Sequence, residues 1–247
     1  MPAKKLSAKK TDSRGAIQNR LLAAFPPEGI AEFKPLTEEI DLNVGEILYH
    51  AHEKVKYLYF PEDAMISLLS ETLSGSSIEI AVIGDEGFVG STTLLEEPTS
   101  PHKAVVQIAG RSRRVKQETA AKFFQDRVFF SKMVLRYLHA MMIQMSQSSV
   151  CNSFHSVEQR MCRWLLMHYD RSGSEVLPFT HEFLAHLLGT RRESVTQVIG
   201  KFEKLGWVKS SRGSVTILSR KRLETFSCEC YAIVRDEYQK MFDSFVR

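Results

Sequence analysis

The sequence predicts an α+β protein: an N-terminal antiparallel β-roll, a long helix, and a C-terminal winged helix-turn-helix. Three observations carry this. Short β-rich runs separated by turn residues fill the stretch after Phe33. From Glu118 the apolar spacing becomes helical. Residues 179–217 then hold two amphipathic helices, a glycine turn and a hairpin signal.

In chain order, residues 1–16 form a predicted basic tail. Lys4, Lys5, Lys9, Lys10 and Arg14 stand there among few large apolar side chains, a composition that favours disorder. Gln18 to Phe25 reads as a short amphipathic helix ended by Pro26-Pro27. Residues 17–117 read as the β-roll. Its runs are 46–49, 56–60, 65–69, 78–83 and 104–108, separated by turn signals such as Asn43 with Gly45, 61–63, 74–76 and 84–87. Residues 118–153 read as one long helix with apolar residues on more than one side, so more than one side must be buried. Phe130, Val134, Tyr137 and Met141 form the stripe expected at a dimer interface, although a helix buried inside one subunit satisfies the same spacing. Phe154-His155-Ser156 reads as a hinge into residues 154–247, where a further helix covers 157–169.

The most informative stretch follows. Leu184, Leu187 and Leu188 give a helix one apolar face, and Gly189 suits a tight turn. Thr190 with Glu193 has the spacing of a capping box that starts a second helix. Val195, Val198, Ile199, Phe202 and Leu205 continue its buried side. Two β-rich runs around 211–214 predict a hairpin, the wing. Ser219 is expected to cap a last helix from Arg220 to about Phe245.

The second helix presents Arg191, Arg192, Glu193, Ser194, Thr196, Gln197 and Lys201 outward, side chains suited to base edges and phosphates in a DNA major groove. Residues 180–222 hold nine basic and three acidic residues, a net of +6, against +4 for the whole chain. Phosphate neutralisation needs that concentration of charge. Readers of this kind span two half-sites as dimers, so a homodimer on double-stranded DNA is expected. A binding module whose winged helix contacts protein is the alternative reading. No nucleophile elbow, phosphate loop or His-Glu-x-x-His stands in the sequence, which argues against an enzyme. No apolar run approaches a membrane span, and four cysteines without a Cys-x-x-Cys pair fit a reducing cytoplasm. His50 and His52 are spaced to share a strand face, a weak metal or haem signal; Cys228 and Cys230 read as helical residues pointing apart. No metal ligands are assigned.

Roll, long helix, hinge and winged helix in this order resemble the Crp/Fnr family of bacterial transcription regulators, from about Asn19 to Phe226. Leu184-Ala185, Leu188-Gly189, Arg192-Glu193 and Val195 carry the likeness most specifically. The resemblance implies a cyclic-nucleotide-binding-like sensor roll, a dimerisation helix, activation through RNA polymerase, and Arg192, Glu193 and Gln197 as base readers. Gln197 stands where the family often has Arg or Ser, so the half-site sequence does not follow. Thr180, Arg191, Thr196, Lys201 and Arg212 are expected near DNA phosphates. In the sensor, Gly87-Phe88-Val89-Gly90 is followed by Ser91 in place of a ribose-binding Glu. His102-Lys103-Ala104 replaces the Arg-Ser-Ala that pairs with a cyclic phosphate. These departures argue against cyclic AMP, since a neutral His does not replace a bidentate guanidinium. Ser91, His102, Lys103, Met141 and Met145 mark the candidate effector pocket. The family's iron–sulfur form needs N-terminal cysteines, and none precedes Cys151.

Overall fold

The computed structural model describes residues 17–245; the expected basic tail lies outside the described residues. The elements run α1 (Arg20–Ala23), α2 (Pro27–Phe33), β1 (Glu38–Leu42), β2 (Ile47–Tyr49), β3 (Tyr57–Pro61), β4 (Met65–Glu71), β5 (Ser77–Ile83), β6 (Lys103–Ile108) and β7 (Gly110–Lys116). Then come α3 (Gln117–Asp126), α4 (Val128–Phe154), α5 (Val157–Ser172), β8 (Val176–Leu177), α6 (His181–Leu187), α7 (Arg192–Lys204), β9 (Val208–Ser211), β10 (Ser214–Ile217), α8 (Arg220–Phe226) and α9 (Glu229–Asp243).

Two antiparallel sheets make the roll, in strand orders β1-β7-β3 and β2-β6-β4-β5. Leu58, Phe60, Ile66, Val82, Phe88, Val106 and Val115 are buried in the core. Strand β7, Gly-Arg-Ser-Arg-Arg-Val-Lys, has too few apolar residues to announce itself. Its arginines pair with acids of neighbouring strands: Arg113 with Glu62 at 3.0 Å and Glu39 at 2.9 Å. The first helix ends at Ala23, before Pro26-Pro27, and a second helix starts there. Pro27 occupies the first turn of α2, where its missing N–H costs nothing.

Helix α4 is held on the roll by Tyr137, whose hydroxyl donates to Phe88 O at 2.7 Å. The ring lies so close to Gly87 that an added Cβ would come within 2.1 Å of it, so this turn takes no side chain. Gln144 donates to Val82 O at 3.1 Å and accepts from Arg171 at 2.8 Å. Arg171 also pairs with Glu86 at 2.6 Å. The 84–87 run is therefore more than a turn: Glu86 anchors α5 to the roll.

Phe130, Val134, Tyr137 and Met141, expected at a dimer interface, are enclosed within their own subunit. Phe130 packs among Phe25, Phe33 and Phe123. The large apolar residues that α4 leaves exposed are Val128, Leu135, Met142, Val150 and Phe154, the first three at steps of seven. Sequence periodicity identified two apolar flanks and could not say which one the roll would take.

The predicted last helix is two helices, broken at Ser227-Cys228, and α9 lies along α4. Tyr231, Val234, Tyr238 and Met241 give α9 its buried side.

Candidate nucleic-acid interface

Helices α6 and α7 pack through Leu184, Leu187, Leu188, Val195, Ile199 and Phe202, all buried. Phe202 meets Trp207 with ring centroids 5.1 Å apart, which ties α7 to the first wing strand. Gly189 makes the turn at φ +56. The expected capping box does not form. Arg191, not Thr190, is the N-cap of α7, with no side-chain cap bond. Glu193 is exposed in the first turn of α7. The cap that does form is at α6, where Thr180 Oγ1 accepts from Phe183 N at 3.1 Å.

Burial of that apolar side fixes what α7 exposes: Arg191, Arg192, Glu193, Thr196, Gln197 and Lys201 all reach solvent. A concave surface runs between the start of α6, α7 and the wing, bounded by Thr180, His181, Glu182, Arg192, Glu203, Ser210 and Arg212. Two predicted phosphate contacts and one predicted base reader thus share one concavity. The wing turns through Arg212-Gly213, with Ser211 paired to Ser214. A third strand, β8, backs it through Val215 and Leu177.

Sequence reasoning missed His181. Its Nδ1 lies 3.2 Å from Thr196 Oγ1 and its Nε2 3.2 Å from Ser210 Oγ, so it bridges α7 and the wing. Ser210 N donates to Glu203 at 2.6 Å. No local sequence pattern joins positions 181, 196 and 210. Lys201 differs from its neighbours: its Nζ donates to both carboxylate oxygens of Glu158 at 2.8 and 2.9 Å, on the side of α7 turned to α5.

The element is docked on the roll. Ser77 hydrogen-bonds His186, and an added Cβ at Gly189 would stand 2.9 Å from Ile78 Cδ1. Arg160 of α5 donates to Leu188 O. Beneath this contact, Glu79 accepts from Ser67 at 2.5 Å and Gln107 at 2.7 Å, and burial raises its carboxyl. His168 Nε2 lies 2.9 Å from Gln107 Oε1, and burial pulls the imidazole down to about 3.

The sensor-side candidates lie on several elements. Ser91 opens a 3-10 turn (Ser91–Leu95), Lys103 begins β6 after His102, and Met141 and Met145 lie on α4. Lys103 pairs with Glu71 at 3.2 Å. His102 is pulled below its ordinary range by burial and by His52. A pocket lies between Asp85-Glu86, Arg171 and α9 residues such as Tyr231 and Tyr238. His50 and His52 do not share a strand: β2 ends at Tyr49, and His52 sits in a turn at φ 66. Cys228 and Cys230 do not point apart along a helix. Cys228 is the extended N-cap of α9, and both thiols face Cys151 and His155.

Among the described residues no helix is long and apolar enough to cross a membrane. Residues 159–226 match the Crp-like helix-turn-helix domain. A CRP-like cAMP-activated global transcriptional regulator of Mycobacterium tuberculosis is 21% identical over 204 residues, 80% of this chain and 91% of the relative. Among solved structures, FixK2 of Bradyrhizobium japonicum superposes with a TM-score of 0.67 at 16% identity, covering 78% of this chain and 98% of that one. A putative crp/fnr family regulator of Eubacterium rectale gives 0.66 at 19% identity, covering 83% and 96%. Residues 159–226 are thus matched in sequence to a Crp-like helix-turn-helix domain, and the roll, long helix and winged element together have the fold of solved Crp/Fnr regulators.

Proposed function

We propose that the protein is a homodimeric, sequence-specific activator that reads paired half-sites without cyclic AMP. The observation that carries this is the face of α7: Arg192, Glu193 and Gln197 are exposed beside a concavity bounded by Thr180 and the wing's Arg212. Arg192 suits guanine O6 and N7, Gln197 suits adenine, and Glu193 accepts from cytosine N4. Arg191, Thr196 and Arg212 flank these readers at phosphate positions. The dimer forms through the exposed stripe Val128, Leu135 and Met142 on α4, whose seven-residue steps suit a helix–helix seam. Independence from cyclic AMP rests on charge. Lys103 is paired with Glu71, and burial together with His52 disfavours the charged form of His102, so neither is well placed to supply the cation a cyclic phosphate needs. Activation through RNA polymerase follows from the family resemblance, and transcription in vitro from a selected site tests it.

The first test is selection of duplexes from a random pool by the purified, nucleotide-free protein. A palindrome with half-sites about one helical turn apart, ~34 Å, is expected. Folded dimer that enriches no sequence, or enriches one only with cyclic AMP present, would sink the reading.

A further inference from the structure

Where α4 ends and α9 begins, four soft donors converge. Cys151 lies in the last turn of α4 and His155 four residues on is its C-cap, so the two share one face. Opposite them, Cys228 is the N-cap of α9 at φ −75, ψ 163, and Cys230 is in its first turn. This break in the helix is what turns both sulfurs to the same side. Cys151 Sγ and Cys228 Sγ are 3.5 Å apart, and Cys230 Sγ is 3.6 Å from His155 Nδ1. All four donor atoms lie within 4.8 Å of one another. The three cysteines are buried and form a cluster separate from the main core.

The 3.5 and 3.6 Å separations are close to those of a tetrahedral site. Bonds of ~2.3 Å to sulfur and ~2.0 Å to nitrogen at tetrahedral angles place sulfurs roughly 3.8 Å apart and sulfur and nitrogen roughly 3.5 Å apart. A multi-iron cluster needs its cysteines spread wider. A disulfide would use two of the four groups and leave Cys230 and His155 without a role. The surroundings fit a cation as well. His155 Nε2 is 3.3 Å from Glu229 Oε1, the carboxylate–imidazole pairing that aims the other nitrogen at a metal. Arg163 is within electrostatic reach of Cys151 and Cys230, and Arg160 of Cys151. Both arginines are buried, each with an Nε lacking a partner. Three thiolates around a divalent cation leave one net negative charge, which these guanidinium groups offset.

We propose that Cys151, His155, Cys228 and Cys230 hold one zinc-type divalent cation and that this site clamps the start of α9 onto the end of α4. Binding releases the thiol protons to solvent. Four protein ligands leave no open position, so the site is structural or regulatory and not catalytic. Its place beside Phe154–Ser156, the joint between α4 and α5, couples the cation to the segment that carries the helix-turn-helix.

The test is metal analysis of the full chain, purified from zinc-supplied cells without chelator. About one zinc per chain is expected. Cys151→Ser and Cys228→Ser each lose most of it, whereas Cys162→Ser, outside the group, retains it. Chelation lowers the melting temperature of the parent. Cobalt loaded into the unmodified chain gives a readout that needs no variant: a sulfur-to-cobalt charge-transfer band with the intense visible bands of tetrahedral coordination. Metal-free protein with four titratable thiols and no cobalt spectrum, a Cys151–Cys228 disulfide in anaerobically purified chain, or an iron–sulfur chromophore would each overturn the assignment. Metal content is read independently of DNA binding, so it stands or falls apart from the proposed reading of half-sites.

Discussion

Single side chains divide the proposed DNA face into groups that read and groups that are already engaged. Arg192 faces solvent at the first turn of α7. Arg192→Ala is expected to cost ~1–3 kcal/mol of binding at the selected site and to relax preference at one base pair per half-site. Competition binding against single-base variants of the site reads this, and an unchanged preference would remove Arg192 from the reading face. Lys201 is spoken for by Glu158, so Lys201→Ala is expected to leave the salt dependence of binding nearly unchanged, where a phosphate contact would lower the slope by about one. Asp85 gives a pH signature. Burial, and then Glu86, push its carboxyl up to about 6, against the partial relief of Arg20 and Arg171. A carboxyl with a raised folded pKa holds its proton more tightly in the folded state, so its contribution to stability falls as pH rises from about 4 to 6. Asp85→Asn should therefore match the parent near pH 4 and exceed it by about 1 kcal/mol at pH 7, after allowance for solvent screening. Urea unfolding at both pH values checks the crossover.

Elements set how those side chains are presented. The α6–α7 turn is constrained twice, by the left-handed backbone of Gly189 and by Ile78 of β5 beneath it. Gly189→Ala is expected to destabilise by about 1–2 kcal/mol from the backbone alone. Gly200 is the counter-case: it lies within α7, and an added Cβ meets nothing within 4 Å. Gly200→Ala is expected to stabilise by roughly 0.5–1 kcal/mol. Opposite signs at two glycines eleven residues apart, measured by the same denaturant titration, separate a turn requirement from a helix-propensity cost; equal signs would refute the placement of the turn. Capping shows how local signals compete. Thr190-x-x-Glu193 has the right letters, yet the helix starts after Arg191, because Thr190 N is taken up by Ala185 O at 2.9 Å in the closing turn of α6. Ser156 and Gln159 form the full box at α5, right after the joint with α4.

The whole molecule joins its halves through buried polar contacts as well as apolar ones. Glu86 with Arg171 and Gln144 with Val82 O cross from roll to helices as buried contacts, and Ser77 with His186 crosses at the surface. The buried contacts favour one docking geometry, since breaking either partner leaves a buried charge or donor unpaired. The side of α4 away from the roll, beside α9, is the surface proposed above for a second subunit. Leu135→Asp with Met142→Asp is expected to give a folded monomer in sedimentation, because both residues are already exposed, and to lose most affinity for a palindromic site. A double variant that sediments as the parent does would place the dimer seam elsewhere.

The sequence by itself determined what depends on short range. Period-two runs announced the principal strands, the 3.6 period announced α4 to α7, and the outward face of α7 followed from its inward one. The winged helix-turn-helix was legible because turn, apolar face and charge all lie within about forty residues of chain. What needed distant partners was not legible. Strand β7 is stabilised by arginines whose acids lie on β1 and at the end of β3, so its composition alone reads as loop. The side of α4 that meets the roll was chosen by Tyr137 fitting over Gly87, a contact across fifty residues. The grouping of Cys151, His155, Cys228 and Cys230 depends on α9 folding back along α4 and on a helix break at Cys228. Residues 151 and 228 share no local pattern. Only close packing of the two helices brings their sulfurs together, and only that packing makes them a candidate site.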